Sequence, residues 1–251
     1  MVVDIHAHVG PTPKDSRSAH AFGSHPAATA EDYIEAMTRA GVQVGVTFGC
    51  LDLDNEYQSL IQKRYPDRIR SFAWINPRRP DAATQLERCI ERLGLCGVKL
   101  HGWWHQFSYS DHVLLDPLCQ ICQERDLPML VHVAGDNPLT SPLQLEEMAR
   151  SFPQATFIMA HGGAPWLYDE ALMVVRRTRN IVVDTTGMCG FWITRMVEEI
   201  GPDRVAMGSD YPWNYLEPTI RGIEVAVRNE DARDWVLGKT AARVLGLGPN
   251  A

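Results

Sequence analysis

Five side chains able to hold a metal ion or move a proton stand where an apolar run gives way to polar sequence. They are His6 and His8 in VDIHAHVG, His132 in LPMLVHVAG, His161 in TFIMAHGG and Asp210 in RVAMGSDYPW. In extended chain the side-chain period is two, so His6 and His8, one residue apart, share a face. Imidazole is the commonest metal ligand, and a carboxylate joining several imidazoles makes a nitrogen and oxygen donor set for a divalent cation. A lone His-x-His fits a packed core as well as a metal. Five such residues at equivalent strand ends do not, because polar groups buried that deeply need a common partner.

The elements that must position them can be read from the same sequence. Apolar and β-branched runs recur at Val2–His6, Gln43–Phe48, Ile69–Ile75, Gly97–Leu100, Pro128–Val133, Thr156–Ala160, Ile181–Asp184 and Arg204–Met207, which predicts eight strands. Segments of helical period lie between them, such as Leu114, Leu118, Ile121 and Cys122, or Leu145, Met148, Ala149 and Phe152. Thr29 with Asp32, and Ser141 with Pro142 and Gln144, supply helix-starting chemistry. Strict alternation of strand and helix predicts parallel strands with right-handed crossovers, and eight units predict an α/β fold closed as a single (β/α)8 TIM barrel over residues 1–251. A doubly wound open sheet is the alternative. Glu230–Leu247 is expected to add a terminal helix that closes the bottom or side of the barrel. In such barrels the strands' carboxyl ends build the active site, so residues from strands one, five, six and eight converge there.

The sequence resembles the amidohydrolase superfamily, in particular the amidohydrolase-related branch that holds the aminocarboxymuconate-semialdehyde decarboxylase-like enzymes. The resemblance rests on DIHAHVG, GVKLHG, LVHVAG, MAHGG, DTTG, GSDYPW and the terminal LGKTAARVLGL, and so spans nearly the whole chain. It implies His6, His8, His132 and Asp210 as metal ligands, with His161 a catalytic or substrate-orienting neighbour. Three neutral imidazoles and a carboxylate suit zinc first, with manganese or iron as alternatives, and leave a position open for water whose pKa falls to about 7. Asp210 can then carry the proton.

Lys99 has three readings. It can bind substrate as an ammonium, be carboxylated and bridge two metals as in some superfamily members, or make a structural ion pair; a single metal is favoured over two. His101 and His105 follow strand four, where His101 can reach substrate, although a surface-loop role competes. Asp4, two residues before His6, is expected on the same inward face, orienting a ligand from below. Asp184 is expected to bind substrate or position His161. Trp103, Trp104, Trp192 and Trp213 suggest an aromatic wall. Cys119 and Cys122 read as apolar helix residues, since no second pair completes a zinc site.

Bulk properties narrow the partner. The chain has 251 residues, 45% of them hydrophobic and 22% charged, with a net charge of −7. That balance gives no general attraction to nucleic acid or an anionic membrane, which leaves a small-molecule substrate and an optional homo-oligomer. The six cysteines without a disulfide-like pattern and the lack of an export signal predict a cytoplasmic protein. Short loops, with only residues 7–28 and 102–111 extended, favour hydrolysis of a small ester, lactone or amide. Non-oxidative decarboxylation, with Lys99 or Arg195 meeting the carboxylate, is the alternative. A non-catalytic metal-binding protein or a redox-metal enzyme is the third reading.

Overall fold

The strands read from the sequence are buried on both sides, which suits parallel strands covered by helices outside and by one another within. In the computed structural model, which describes residues 1–10, 28–49 and 55–248, they are β1 (Val3–His8), β2 (Val44–Phe48), β3 (Ile69–Ser71), β4 (Ala73–Trp74), β5 (Val98–Leu100), β6 (Met129–His132), β7 (Phe157–Ala160), β8 (Ile181–Asp184) and β9 (Val205–Ala206). All strand pairs are parallel, in the orders β1-β2-β3 and β4 through β9. The third expected strand is one run broken at Phe72. Its first half pairs with β2, its second half pairs with β5, and the Phe72 amide still donates to Thr47 O at 2.9 Å.

Closure excludes the open-sheet alternative. Ile5 N donates to Met207 O at 2.9 Å, Asp210 N to His6 O at 2.8 Å and His8 N to Tyr211 O at 2.7 Å, joining the last strand region to the first. The architecture is therefore an α/β TIM barrel. Inside it, Val3, Ile5, Val46, Leu130, Ile158 and Val182 form the inner core, while a second core lies between the strands and the helices.

The helix starts follow the expected chemistry. Thr29 and Asp32 form a capping box on α1 (Ala30–Ala40), and Ser141 with Gln144 forms another on α6 (Pro142–Ser151), with Pro142 in its first turn. The intervening helices are α2 (Asn55–Arg64), α3 (Ala82–Glu91), α4 (Gly102–His105) and α5 (His112–Glu124). Cys119 and Cys122 are buried in α5. Part of the extended segment 102–111 is thus helical. His101 caps α4 by accepting from Trp104 N, and a side chain at Gly102 would meet Thr140 Cγ2 at 2.3 Å.

After α7 (Tyr168–Arg177), α8 (Gly190–Ile200) and α9 (Leu216–Ala226), the expected terminal helix is three consecutive pieces. They are α10 (Glu230–Asp234), a π-helical turn at Trp235–Lys239 and α11 (Thr240–Val244). The turn carries Gly238 against the N-terminus, where an added Cβ would sit 2.0 Å from Met1 O, and α11 delivers Ala241 to the inner core. Among the described residues, no helix is long and apolar enough to cross a membrane. Cys50 and most of the expected long loop 7–28 lie outside the described residues.

Candidate metal centre

A bulge in β1 sets the aim of the first two candidate residues. The register with β2 shifts between Asp4 and Ala7, so the inward series Val3, Ile5 passes to His6 and His8, while Ala7 and Val9 join the outer core. Bulges re-aim side chains in this way. The expectation that Asp4 shares the inward face of His6 is corrected. Asp4 is buried on the helix side, where it accepts from Tyr33 Oη at 2.8 Å, Ser209 Oγ at 2.6 Å and Ser209 N at 2.9 Å. Burial raises its carboxyl to about 7, although those donors oppose the rise.

His6 Nδ1 lies 2.6 Å from Asp184 Oδ2, and His8 Nδ1 lies 3.3 Å from Gly49 O. Both partners accept, so a neutral ring carries its proton on Nδ1 and presents the Nε2 lone pair inward. Those Nε2 atoms lie 3.3 and 3.4 Å from the same Oδ1 of Asp210. Burial, with the Lys99 ammonium next for His6, keeps both imidazoles below their usual pKa. Burial alone would raise the Asp210 carboxyl, but His6, His8 and His161 outweigh it and hold Asp210 well below the carboxylate range. Two imidazole nitrogens thus converge on one carboxylate oxygen, an arrangement that a cation would satisfy. His6 Nε2 is buried without a hydrogen-bond partner, and the three donor atoms lie within 4.8 Å of one another. These residues fit a divalent metal ion, and Asp184 behind His6 fixes the ligand's tautomer.

Asp184, expected to bind substrate or to position His161, is instead bonded behind His6. It is fully buried, with one oxygen on His6 and the other accepting from Thr186 N and Oγ1, each at 2.7 Å. Burial raises its carboxyl to about 6. Asp210 is itself held in place: its left-handed φ of 62° is fixed by the amide bond to His6 O, and His161 has a similar φ of 65°. Such conformations cost about 1–3 kcal/mol for non-glycine residues and gather at functional sites.

The remaining imidazoles adjoin this trio. His161 lies 5.2 Å from His6 and 4.6 Å from His132 between ring centroids, and His101 stacks on His132 at 3.8 Å. His101 is therefore part of the cluster and not a surface-loop residue. Burial drives both His101 and His161 well below the usual histidine range. His132 Nε2 is 2.9 Å from Asp136 Oδ2, and His132 is not one of the three grouped donors. Asp136 was not singled out in the sequence, where it is one acidic residue of a polar turn with no motif around it.

Lys99 is fully buried inside the barrel, its Nζ 4.7 Å from the centroid of Phe48 and 6.0 Å from that of Trp74. Trp213 meets His8 edge-on at 5.0 Å, and Trp103 lies 6.2 Å from His101. Trp74, also not singled out, stacks with His101 at 5.9 Å. Two expected residues are elsewhere. Trp192 stacks on Tyr168 at 4.9 Å, and Arg195, on α8, is held by Glu199 at 2.6 and 3.0 Å. Arg195 is already paired along its own helix and is corrected as a contact for a substrate carboxylate.

A family model described as Amidohydrolase matches residues 3–247. No curated protein sequence matches significantly. A solved structure of 2,6-dihydroxybenzoate decarboxylase with 2,6-dihydroxybenzoate is 15% identical, with a TM-score of 0.80 and 98% of each chain covered. A dihydroxybenzoic acid decarboxylase from Polaromonas, with bound manganese and the inhibitor 2-nitroresorcinol, is 15% identical, with a TM-score of 0.78 and coverage of 98% of this chain and 97% of that one. The 4-oxalomesaconate hydratase from Rhodopseudomonas palustris is 20% identical, with a TM-score of 0.73, covering 98% of this chain and 96% of that one. At these identities the likeness establishes a shared barrel fold.

Proposed function

The chain belongs to the amidohydrolase family, and on that premise we propose that it removes carbon dioxide non-oxidatively from an aromatic acid with a hydroxyl beside its carboxylate. Lys99 is the observation that carries this reading. Its side-chain nitrogen lies within the barrel near two aromatic faces, and it adds to burial, the larger cause, in lowering the pKa of His6, His8, His101 and His132. With those imidazoles neutral, Lys99 is the basic group available to meet a substrate anion, and Phe48, Trp74 and Trp213 give a flat ring apolar surface. The decarboxylases of similar fold support the same reading. Hydrolysis, the first expectation from loop length, uses the same trio but gives no role to an enclosed ammonium.

His6, His8 and Asp210 would hold one divalent ion, zinc or manganese, and His132 would join them by exchanging Asp136 for the ion. The metal supplies Lewis acidity toward the substrate's oxygens. Asp210, ionised at neutral pH, can accept the proton of the adjacent hydroxyl and return it to the ring carbon that bears the carboxylate. The bond from that carbon to the carboxylate then breaks, its electron pair restores the aromatic ring, and carbon dioxide leaves. Solvent reprotonates the phenolate. His161 orients the ring oxygens, and His101 with Trp103 borders the substrate.

The test is incubation of zinc- or manganese-loaded protein with 2,6-dihydroxybenzoate in deuterated water, alongside a panel of lactones and amides. Carbon dioxide release with one deuterium at the vacated ring carbon is expected. Cleavage of a lactone or amide without carbon dioxide from any aromatic acid would overturn decarboxylation in favour of hydrolysis.

A further inference from the structure

Trp74 carries a polar group that the reaction outlined above does not use. Its side chain is buried, yet the indole Nε1 has no hydrogen-bond partner among the described residues. A buried indole N–H ordinarily finds an acceptor, because leaving it unpaired forfeits the bond it made with water. The residue is also firmly mounted. Asn55, at the start of α2, accepts from Trp74 N at 2.8 Å and donates to Trp74 O at 3.1 Å, so the end of β4 is held at both its amide and its carbonyl.

The ring stands on the catalytic side of the strands. Trp74 belongs to the inner core and is the register partner of Lys99 on β5, so the two side chains stand next to each other within the barrel. Lys99 Nζ lies 6.0 Å from the indole centroid, and the His8 ring is 5.6 Å away. The two nearest imidazoles are otherwise engaged. His8 directs Nδ1 at Gly49 O and Nε2 toward Asp210. His101 lies within 17° of parallel to the indole, so an N–H in the plane of one ring does not meet the other, and its Nδ1 accepts from Trp104 N at 3.4 Å.

A carboxylate supplies the missing acceptor and meets Lys99 at the same time. With a hydrogen bond of about 2.9 Å to each of its oxygens, it bridges donors several ångströms apart, as the lysine and the indole are. Resting on the decarboxylase reading above, we propose that Trp74 Nε1 donates to one oxygen of the substrate's carboxylate while Lys99 meets the other. The carboxylate is most negative before carbon dioxide forms, so this bond strengthens substrate binding and not the departure of carbon dioxide. Trp74 thereby distinguishes an aromatic acid from the neutral phenol that the reaction leaves.

The experiment is nuclear magnetic resonance on zinc-loaded, full-length protein isotope-labelled at the indole nitrogens of its seven tryptophans. The indole resonance missing from Trp74→Phe, and from protein with benzothienylalanine in place of Trp74, is that of Trp74. The second replacement keeps the ring shape and puts sulfur where the N–H was, and it serves alone if Trp74→Phe does not fold. Benzoate, which has the carboxylate but no hydroxyl to start the reaction, should move the Trp74 resonance downfield. Resorcinol, which has hydroxyls and no carboxylate, should leave it in place. The sulfur replacement should weaken benzoate about tenfold or more and resorcinol less than about twofold. It should also raise KM for 2,6-dihydroxybenzoate while lowering kcat less than about twofold. A resonance unmoved by benzoate, one that resorcinol moves as far, unchanged benzoate affinity after sulfur replacement, or no binding of benzoate overturns the contact. Carbon dioxide release with the contact overturned leaves the decarboxylase reading standing, whereas the contact without carbon dioxide from any aromatic acid overturns only the reaction.

Discussion

Asp184 is buried against His6 and Thr186, which places it to orient a proposed metal ligand from behind. Its carboxylate holds His6 Nδ1 at 2.6 Å and thereby keeps the Nε2 lone pair directed at Asp210. Asp184→Asn can turn its amide donor toward Nδ1 and favour the wrong tautomer, so metal affinity should fall about 10- to 100-fold. Competition against a chelator of known affinity measures this, and an unchanged dissociation constant would remove Asp184 from the assignment. For Lys99, Lys99→Met should raise KM for 2,6-dihydroxybenzoate more than it lowers kcat, with kcat/KM falling about tenfold or more, because a cation that meets the carboxylate before reaction contributes to binding. Metal content by elemental analysis should stay at one ion per chain. A loss of half the metal would instead identify a carboxylated, bridging lysine. His6, His8 and Asp210 were legible because each ends an apolar run. Neither the Asp184–His6 bond, between residues 178 apart in the chain, nor the Asp136–His132 pair leaves a periodic trace in sequence.

At the scale of the element, β1 does two jobs because its register shifts once. Before the bulge Asp4 faces α1 and after it His6 faces the barrel, so strict alternation correctly pairs His6 with His8 but misplaces Asp4. Period two can be read from residue types, whereas an inserted bulge cannot unless its unpaired residue has a distinctive type. The helix caps at Thr29 and Ser141 were legible for the opposite reason, since their hydrogen bonds close within four residues. Asp4 ties β1, α1 and the segment before Asp210 together through Tyr33 and Ser209. Tyr33→Phe leaves a buried carboxyl short of one donor and should destabilise the protein by about 1–3 kcal/mol. Urea denaturation of the metal-free protein is the appropriate measurement, because it separates folding from metal binding. A midpoint equal to wild type would mean that Asp4 finds another donor, and the bulge would then lack the anchor assigned to it.

For the whole molecule, the number of strand and helix alternations made the barrel legible, but the position of its seam became clear only in the structure. Closure depends on bonds between the first and last strands: Ile5 to Met207, Asp210 to His6, and His8 to Tyr211. The proposed metal ligands straddle that same seam, with His6 and His8 on one side and Asp210 on the other. A metal ion there would link the two ends of the chain's fold as well as serve the proposed reaction, while Ala241 packs within the inner core. Ligand linkage at a hundredfold excess over Kd contributes about 2.7 kcal/mol, which for a chain of this size corresponds to a Tm rise of about 5–10 °C. Zinc or manganese should therefore raise the Tm of wild-type protein and leave that of His6→Ala unchanged. Any bound ligand raises Tm, so the seam itself needs a local measurement. Native-state hydrogen exchange should show the amides of Ile5, His8 and Asp210 gaining more protection on metal addition than that of Val98, which donates across the middle of the sheet to Pro128 O at 3.0 Å. Uniform gain across all four would show that the ion stabilises the fold globally without clasping the seam.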